Sequence, residues 1–242
     1  MELTEALVLV GVGAAAGVVN TIAGGGSFVT VPALMWAGVP VAVANGTNRV
    51  GVLAQTMAAV GTFRAEMVDG GGELVPQIAL TGAGALLGSL VAVWLPPEAL
   101  ETAIGVFMLV LVLLAMARPS QWSEPAPPSP WRWPALFVIG AYGGFLQAGV
   151  GLVLLPCLVR LGGLDPVRAN ARKSLLVATL TVPAIATFAA AGVVWWGTGA
   201  ILAVGASIGA VVGARLTTRL GPRFVWAVLL VVAAATLLRK LL

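Results

Sequence analysis

This sequence predicts an all-α integral membrane protein, a polytopic helical bundle of two inverted repeats, each opening with a glycine-broken helical hairpin. Three observations predict it. Hydrophobic residues fill 60% of 242 positions and charged residues 9%, with a mean hydropathy of +1.04, so too little polar surface remains for an aqueous exterior. The apolar residues run in span-length stretches rather than short alternating segments, which means helices and not a transmembrane barrel. Finally, a glycine-interrupted apolar segment stands near the start of each half: GAAAGVVNTIAGGGSFVTVPALMWAGV from Gly13 to Val39, and GAYGGFLQAGVGLVLLPCLVRLGG from Gly140 to Gly163. Interrupted spans at corresponding places of two repeats point to a transport site, because backbone groups freed at membrane depth persist only where protein or a cavity receives them.

In chain order, apolar stretches cover 7–23, 27–39, 50–63, 74–95 and 99–117, then 135–159, 174–196, 199–214 and 224–238. Those at 74–95, 99–117, 174–196 and 224–238 are long enough to span, and the others are shorter or interrupted by glycine. Glu2 and Glu5 stand where a signal peptide would be basic, so the first segment is expected to remain in the mature chain. The repeats are assigned to 1–118 and 135–242. Residues 119–134, PSQWSEPAPPSPWRWP, join them as a Pro-rich linker with interfacial tryptophans.

The duplication is visible residue by residue. Thr62-Phe63 matches Thr187-Phe188, Gly84 and Gly88 match Gly209 and Gly213, and Leu95 and Pro97 match Leu220 and Pro222, all at an offset of 125. Upstream, Pro32 and Gly38 match Pro156 and Gly162 at 124, and Gly13 and Gly17 match Gly140 and Gly144 at 127, so the first repeat carries a short insertion in its GGGS turn. If each broken segment enters and returns, the repeats are inverted and the basic loop residues divide about nine to two. Arg64, Arg118, Arg132, Arg160, Arg168, Arg172, Arg215, Arg219 and Arg223 then share one side, and Arg239 and Lys240 the other. This places the linker in the cytoplasm and both termini outside.

Arg49 and Lys173 occupy matching places, in GTNRV and ARKSL, just inside the helix after each break. A cation at such depth either snorkels from a helix end or faces water, a partner or a ligand. The consecutive Gly24, Gly25 and Gly26 unwind a helix, and with Ser27 they leave a half-helix whose positive end faces the break, a setting that suits an anion. Gly84, Gly88, Gly209 and Gly213 read instead as close-packing surface. Polar residues near the breaks are few: Asn20, Thr21, Ser27, Asn45, Thr47, Asn48 and Gln55, then Gln147, Asn170, Ser174 and Thr179. With two cations and no acid in the same segments, this polar centre suits a small oxyanion.

These strings resemble the two signature repeats of the sulfite exporter TauE/SafE family, over nearly the whole chain: AGVVNTIAGGGSFVTVPALMWAGVP with VANGTNRV, and GAYGGFLQAGVGLVLLPCLVRLGGLDPVRANARKSLL. The second break is shorter here, reduced to Gly149-Val150-Gly151. The resemblance implies a multi-pass permease of a bacterial or archaeal inner membrane that carries sulfite or small organosulfonates. Position by position it implies a substrate site at Asn20, Gly24, Gly25, Gly26, Ser27, Thr47, Asn48 and Arg49, and at Gln147, Gly149, Gly151, Asn170, Arg172 and Lys173.

Other classes fit poorly. Glu66, Asp69, Glu73, Glu98, Glu101, Glu124 and Asp165 sit at span ends or in loops, so no acid/base pair lies at depth for an enzyme. There is no histidine and one cysteine, Cys157, so neither a His/Cys metal site nor an internal disulfide is expected. No cofactor is expected. The net charge of +4 follows topology rather than nucleic acid. The expected partners are the bilayer and a small anion, with a homodimer and proton coupling left open. An anion channel or a non-transporting assembly subunit are the alternatives to a secondary transporter.

Overall fold

The computed structural model describes residues 3–66, 72–117 and 124–220. Those residues form nine α-helices and no strand. The first half holds α1 (Leu3–Ala23), α2 (Ser27–Trp36), α3 (Val41–Thr62), α4 (Leu74–Trp94) and α5 (Pro97–Ala117). The second holds α6 (Arg132–Phe145), α7 (Val150–Arg160), α8 (Pro166–Ala190) and α9 (Trp196–Leu220). By length and composition, Leu3–Ile22, Leu74–Trp94, Pro166–Ala190 and Trp196–Arg219 can each cross a membrane. This is an integral membrane protein. The expected span at 224–238, with Arg118, Arg223, Arg239, Lys240, Asp69 and Pro222, lies outside the described residues.

Two helices begin well before the apolar stretches that announce them, α3 at Val41 rather than 50 and α8 at Pro166 rather than 174. Local start signals explain both. Pro40 precedes α3, while the Asp165 carboxylate accepts from the amides of Val167 and Arg168 at 3.1 Å, with Pro166 in the first turn. The added turns bring Asn45 to Arg49 and Asn170 to Lys173 inside helices. Arg172, counted above among loop residues, is a buried residue of α8 that donates to Gln77 Oε1 at 3.1 Å. Arg215 and Arg219 likewise belong to α9.

The short helices match each other. α2 has 10 residues and contains Pro32; α7 has 11 and contains Pro156. At 1.5 Å per residue, each reaches about half of the roughly 30 Å hydrocarbon thickness. Packing exchanges partners between halves: α1 lies on α9 as α6 lies on α4, and α3 lies on α9 as α8 lies on α4. Glycines four apart make these contacts. A Cβ on Gly13 would stand 2.6 Å from the Leu202 carbonyl oxygen, and Gly84 and Gly88 press onto the backbone of Phe137 and Ala141 as Gly209 and Gly213 press onto Ala14 and Val18. The packing role expected for those four glycines is the one they have.

The described part of the linker is tied to both halves. Ser129 N donates to Leu161 O at 2.9 Å, Arg160 Nη1 to Glu124 O at 3.3 Å, and Arg132 pairs with Glu73 at 2.5 Å.

Candidate functional site

The site is built from the two breaks. α1 ends at Ala23, and Gly24 takes φ +83°, a left-handed backbone that favours glycine. Its amide closes onto Asn20 O at 2.7 Å, and the Gly26 amide onto Asn20 Oδ1 at 3.3 Å, so Asn20 shapes the turn with main chain and side chain alike. In the second half α6 ends at Phe145. Gln147 holds φ 67° and Gly149 φ 72°, and the Tyr142 hydroxyl caps the Ala148 carbonyl. A β-carbon on either Gly24 or Gly151 would overlap the Cα of the other. The two breaks therefore meet backbone to backbone.

Neither cation snorkels. Arg49 is fully buried and Lys173 is 2% exposed. The Arg49 guanidinium spans the C-terminal end of α6: Nη1 donates to Gly143 O at 3.1 Å and Gln147 Oε1 at 3.0 Å, and Nη2 to Gly144 O at 2.6 Å and Phe145 O at 3.3 Å. Its plane lies over the Phe188 ring, 4.4 Å from the centroid. Lys173 Nζ reaches the end of α1, donating to Asn20 O at 3.2 Å and Thr21 O at 3.0 Å. Each half thus supplies the cation that meets the last carbonyls and negative dipole end of the other half's broken helix. Among the described residues the ion pairs are Arg132–Glu73 and Arg168–Asp165, and neither touches these two groups.

Two cavities flank the GGGS turn, each with a volume of about 10 Å³, which suits roughly one water. The first joins the halves: Asn20, Thr21 and Gly24 face Gly151, Lys173 and Ser174, with Thr56 of α3 at its wall. Gly151 lies in the first turn of α7, where amides lack intrahelical acceptors. The second is lined by Gly26, Ser27, Thr30, Asn48 and Gln55, closed by Ala16, Gly51, Val52, Leu202 and Ala206. There Thr30 Oγ1 donates to Asn48 Oδ1, and Asn48 Nδ2 to Ser27 Oγ at 3.0 Å.

The remaining expected residues are placed differently. Gln147 joins Arg49 rather than a cavity and donates to Thr181 Oγ1 at 3.3 Å. Thr47 accepts from the Trp195 amide at 2.9 Å, Asn170 donates to Thr217 Oγ1 at 3.4 Å, and Arg172 turns toward α4. Gly149 caps α7, and the Gly25 carbonyl accepts from Phe28 N at 3.0 Å. Thr30, Thr56 and Thr181 were not singled out from the sequence. Helical spacing carries the signal: Asn48, Val52, Gln55 and Thr56 share one face of α3, and Lys173, Val177 and Thr181 one face of α8.

The profile described as sulfite exporter TauE/SafE matches residues 9–239. The chain belongs to the TauE/SafE family. A probable membrane transporter protein from Sinorhizobium sp., ORF9, is 29% identical over 231 residues, 93% of this chain and 88% of that one. A probable membrane transporter protein of Escherichia coli K12, YfcA, is 28% identical over 223 residues, 90% and 83% of the two chains. One from Haemophilus influenzae is 25% identical over 219 residues, 87% and 84%. No solved structure matches the chain.

Proposed function

We propose that this TauE/SafE protein is a secondary transporter, an exporter of small sulfur-containing anions such as sulfite or organosulfonates, which it binds between its two breaks and exposes to alternate sides of the membrane. One observation carries the reading: buried positive charge without a buried acid where the breaks meet. Among the described residues Lys173 has only carbonyl dipoles as partners, and it stands at a cavity beside Asn20, Thr21 and the positive end of α7. A buried cation held by dipoles alone is costly, and an oxyanion supplies the missing countercharge through charge-assisted hydrogen bonds. The family description supplies the sulfur chemistry, and the relatives' names supply membrane transport. Two small, separate cavities favour alternating access over an open pore.

Inverted repeats over 1–118 and 135–242, linked through 119–134, belong to the same reading, supported by the matching half-length helices and the exchanged packing. The basic loops favour a cytoplasmic linker and external termini in a bacterial or archaeal inner membrane. Tags at the ends and in the linker check that orientation. The sequence has no GxxxxGK[ST] loop, so the drive is assigned to a gradient or the membrane potential. The deciding experiment is uptake of sulfite, methanesulfonate, sulfate and thiosulfate into liposomes holding the purified protein, with and without a pH gradient. Saturable uptake of sulfite or the sulfonate is expected, and no saturable uptake of any of the four would end the reading.

A further inference from the structure

We propose that the transported oxyanion has a second binding position, on the far side of the GGGS turn, held by Gln55 and the first turn of α2. The inference rests on the transport reading above. Its starting point is Gln55, which is 3% exposed, lines the second cavity, and makes no hydrogen bond among the described residues. Its amide is not sealed in protein but opens on that cavity, and a polar group so placed takes a polar guest.

The neighbours show what kind of guest. Thr30, Asn48 and Ser27 form a chain of donors in which Ser27 Oγ accepts from Asn48, leaving the Ser27 hydroxyl proton to be given elsewhere. In the same turn Gly26 N is taken by Asn20 Oδ1, and Phe28, Val29 and Thr30 amides by the carbonyls of Gly25 and Gly26. The Ser27 amide has no acceptor among the described residues. The Gln55 amide, the Ser27 hydroxyl and the Ser27 N–H are therefore donors available at the positive end of a helix, in a cavity that no charged side chain lines among the described residues. That combination favours the oxygens of an anion over a metal cation.

The two positions are complementary. Asn20 and Gly24 face the Lys173 cavity while Gly26 and Ser27 face the other, and on α3 Thr56 serves the first and Gln55 the second. An anion leaving Lys173 past the turn is received by neutral donors that hold it less strongly. Transport needs binding firm enough to admit the ion and weak enough to release it, and a charged position followed by an uncharged one meets both demands.

The test uses the full-length protein, with radiolabelled sulfite as probe. Gln55→Leu keeps the bulk and removes the unpaired amide, so its melting temperature in detergent should be equal to or above that of the unaltered protein. Equilibrium binding of sulfite should stay within about twofold, because Lys173 is untouched, while sulfite exchange across liposomes falls by roughly tenfold. Should the leucine variant fail to fold, Gln55→Glu decides, since a negative charge there must stop exchange. Exchange at the unaltered rate in either variant means that the cavity holds water only and overturns the second position. If the unaltered protein binds neither sulfite nor methanesulfonate, the transport reading itself fails and takes this inference with it.

Discussion

Arg49 and Lys173 stand at corresponding places in the two halves of the sequence, and their surroundings differ. Arg49 uses a planar fork to hold three successive carbonyls of α6 and the side-chain amide of Gln147 just beyond it, sealed beneath Phe188. Lys173 places a compact ammonium on two carbonyls of α1 and retains a third donor beside a cavity. A fork is pre-organised for several fixed acceptors, whereas an ammonium on a flexible stem can change partners. Position alone would give the two residues one role. Their geometry sets Arg49 on a helix end with its donors taken, and leaves Lys173 the donor that the proposed ligand would meet.

The largest expected effect breaks the Arg49 side of this contrast. Arg49→Met should cost about 3–5 kcal/mol and show as lost expression or a sharply lowered melting temperature in detergent, because several buried carbonyls lose their donor together. Arg49→Lys should recover only part of it, since one ammonium cannot span the same acceptors. Lys173→Met should act differently, leaving a folded protein whose sulfite affinity falls by about 10- to 100-fold in equilibrium binding. Equal stability losses in the two methionine variants would erase the division of labour.

Smaller effects sharpen it. Gly24→Ala puts a methyl at φ +83° against Gly151, so sulfite transport in liposomes should fall while the α6 end stays intact. The proper control is Gly82→Ala on α4, where a Cβ meets nothing within 4 Å. It should leave transport unchanged and raise stability by at most about 1 kcal/mol. Gly84 on the same helix cannot serve as a control, because its Cβ would strike the Phe137 carbonyl.

The features legible in the sequence are those that break an apolar background. Three consecutive glycines, the register of Pro32 and Pro156, and two cations among uncharged residues each stand out singly; the structure places the glycines and the cations at the breaks and the prolines inside the short helices that follow them. Helix starts were harder to see. The buried polar faces of α3 and α8 depress local hydropathy, so apolar runs appear to begin at 50 and 174 although Pro40 and Asp165-Pro166 mark the true starts. Hidden altogether was which acceptor each polar group meets. Thr47 and Asn48 are adjacent, yet one bonds the Trp195 amide and the other Ser27, because successive helical residues point about 100° apart. Arg172 and Lys173 diverge in the same way, toward α4 and α1.

The exchange of cations between halves reaches back to the moment of synthesis. When the first half leaves the ribosome, Arg49 has none of its α6 acceptors and the carbonyl end of α1 has no ammonium, so both wait in an environment that tolerates neither. The nascent first half is an unfinished molecule, without the partners these groups have in the complete chain until residues 132–173 arrive. Split into two polypeptides, the protein would have to be made as a pair, each fragment acting as the folding template of the other.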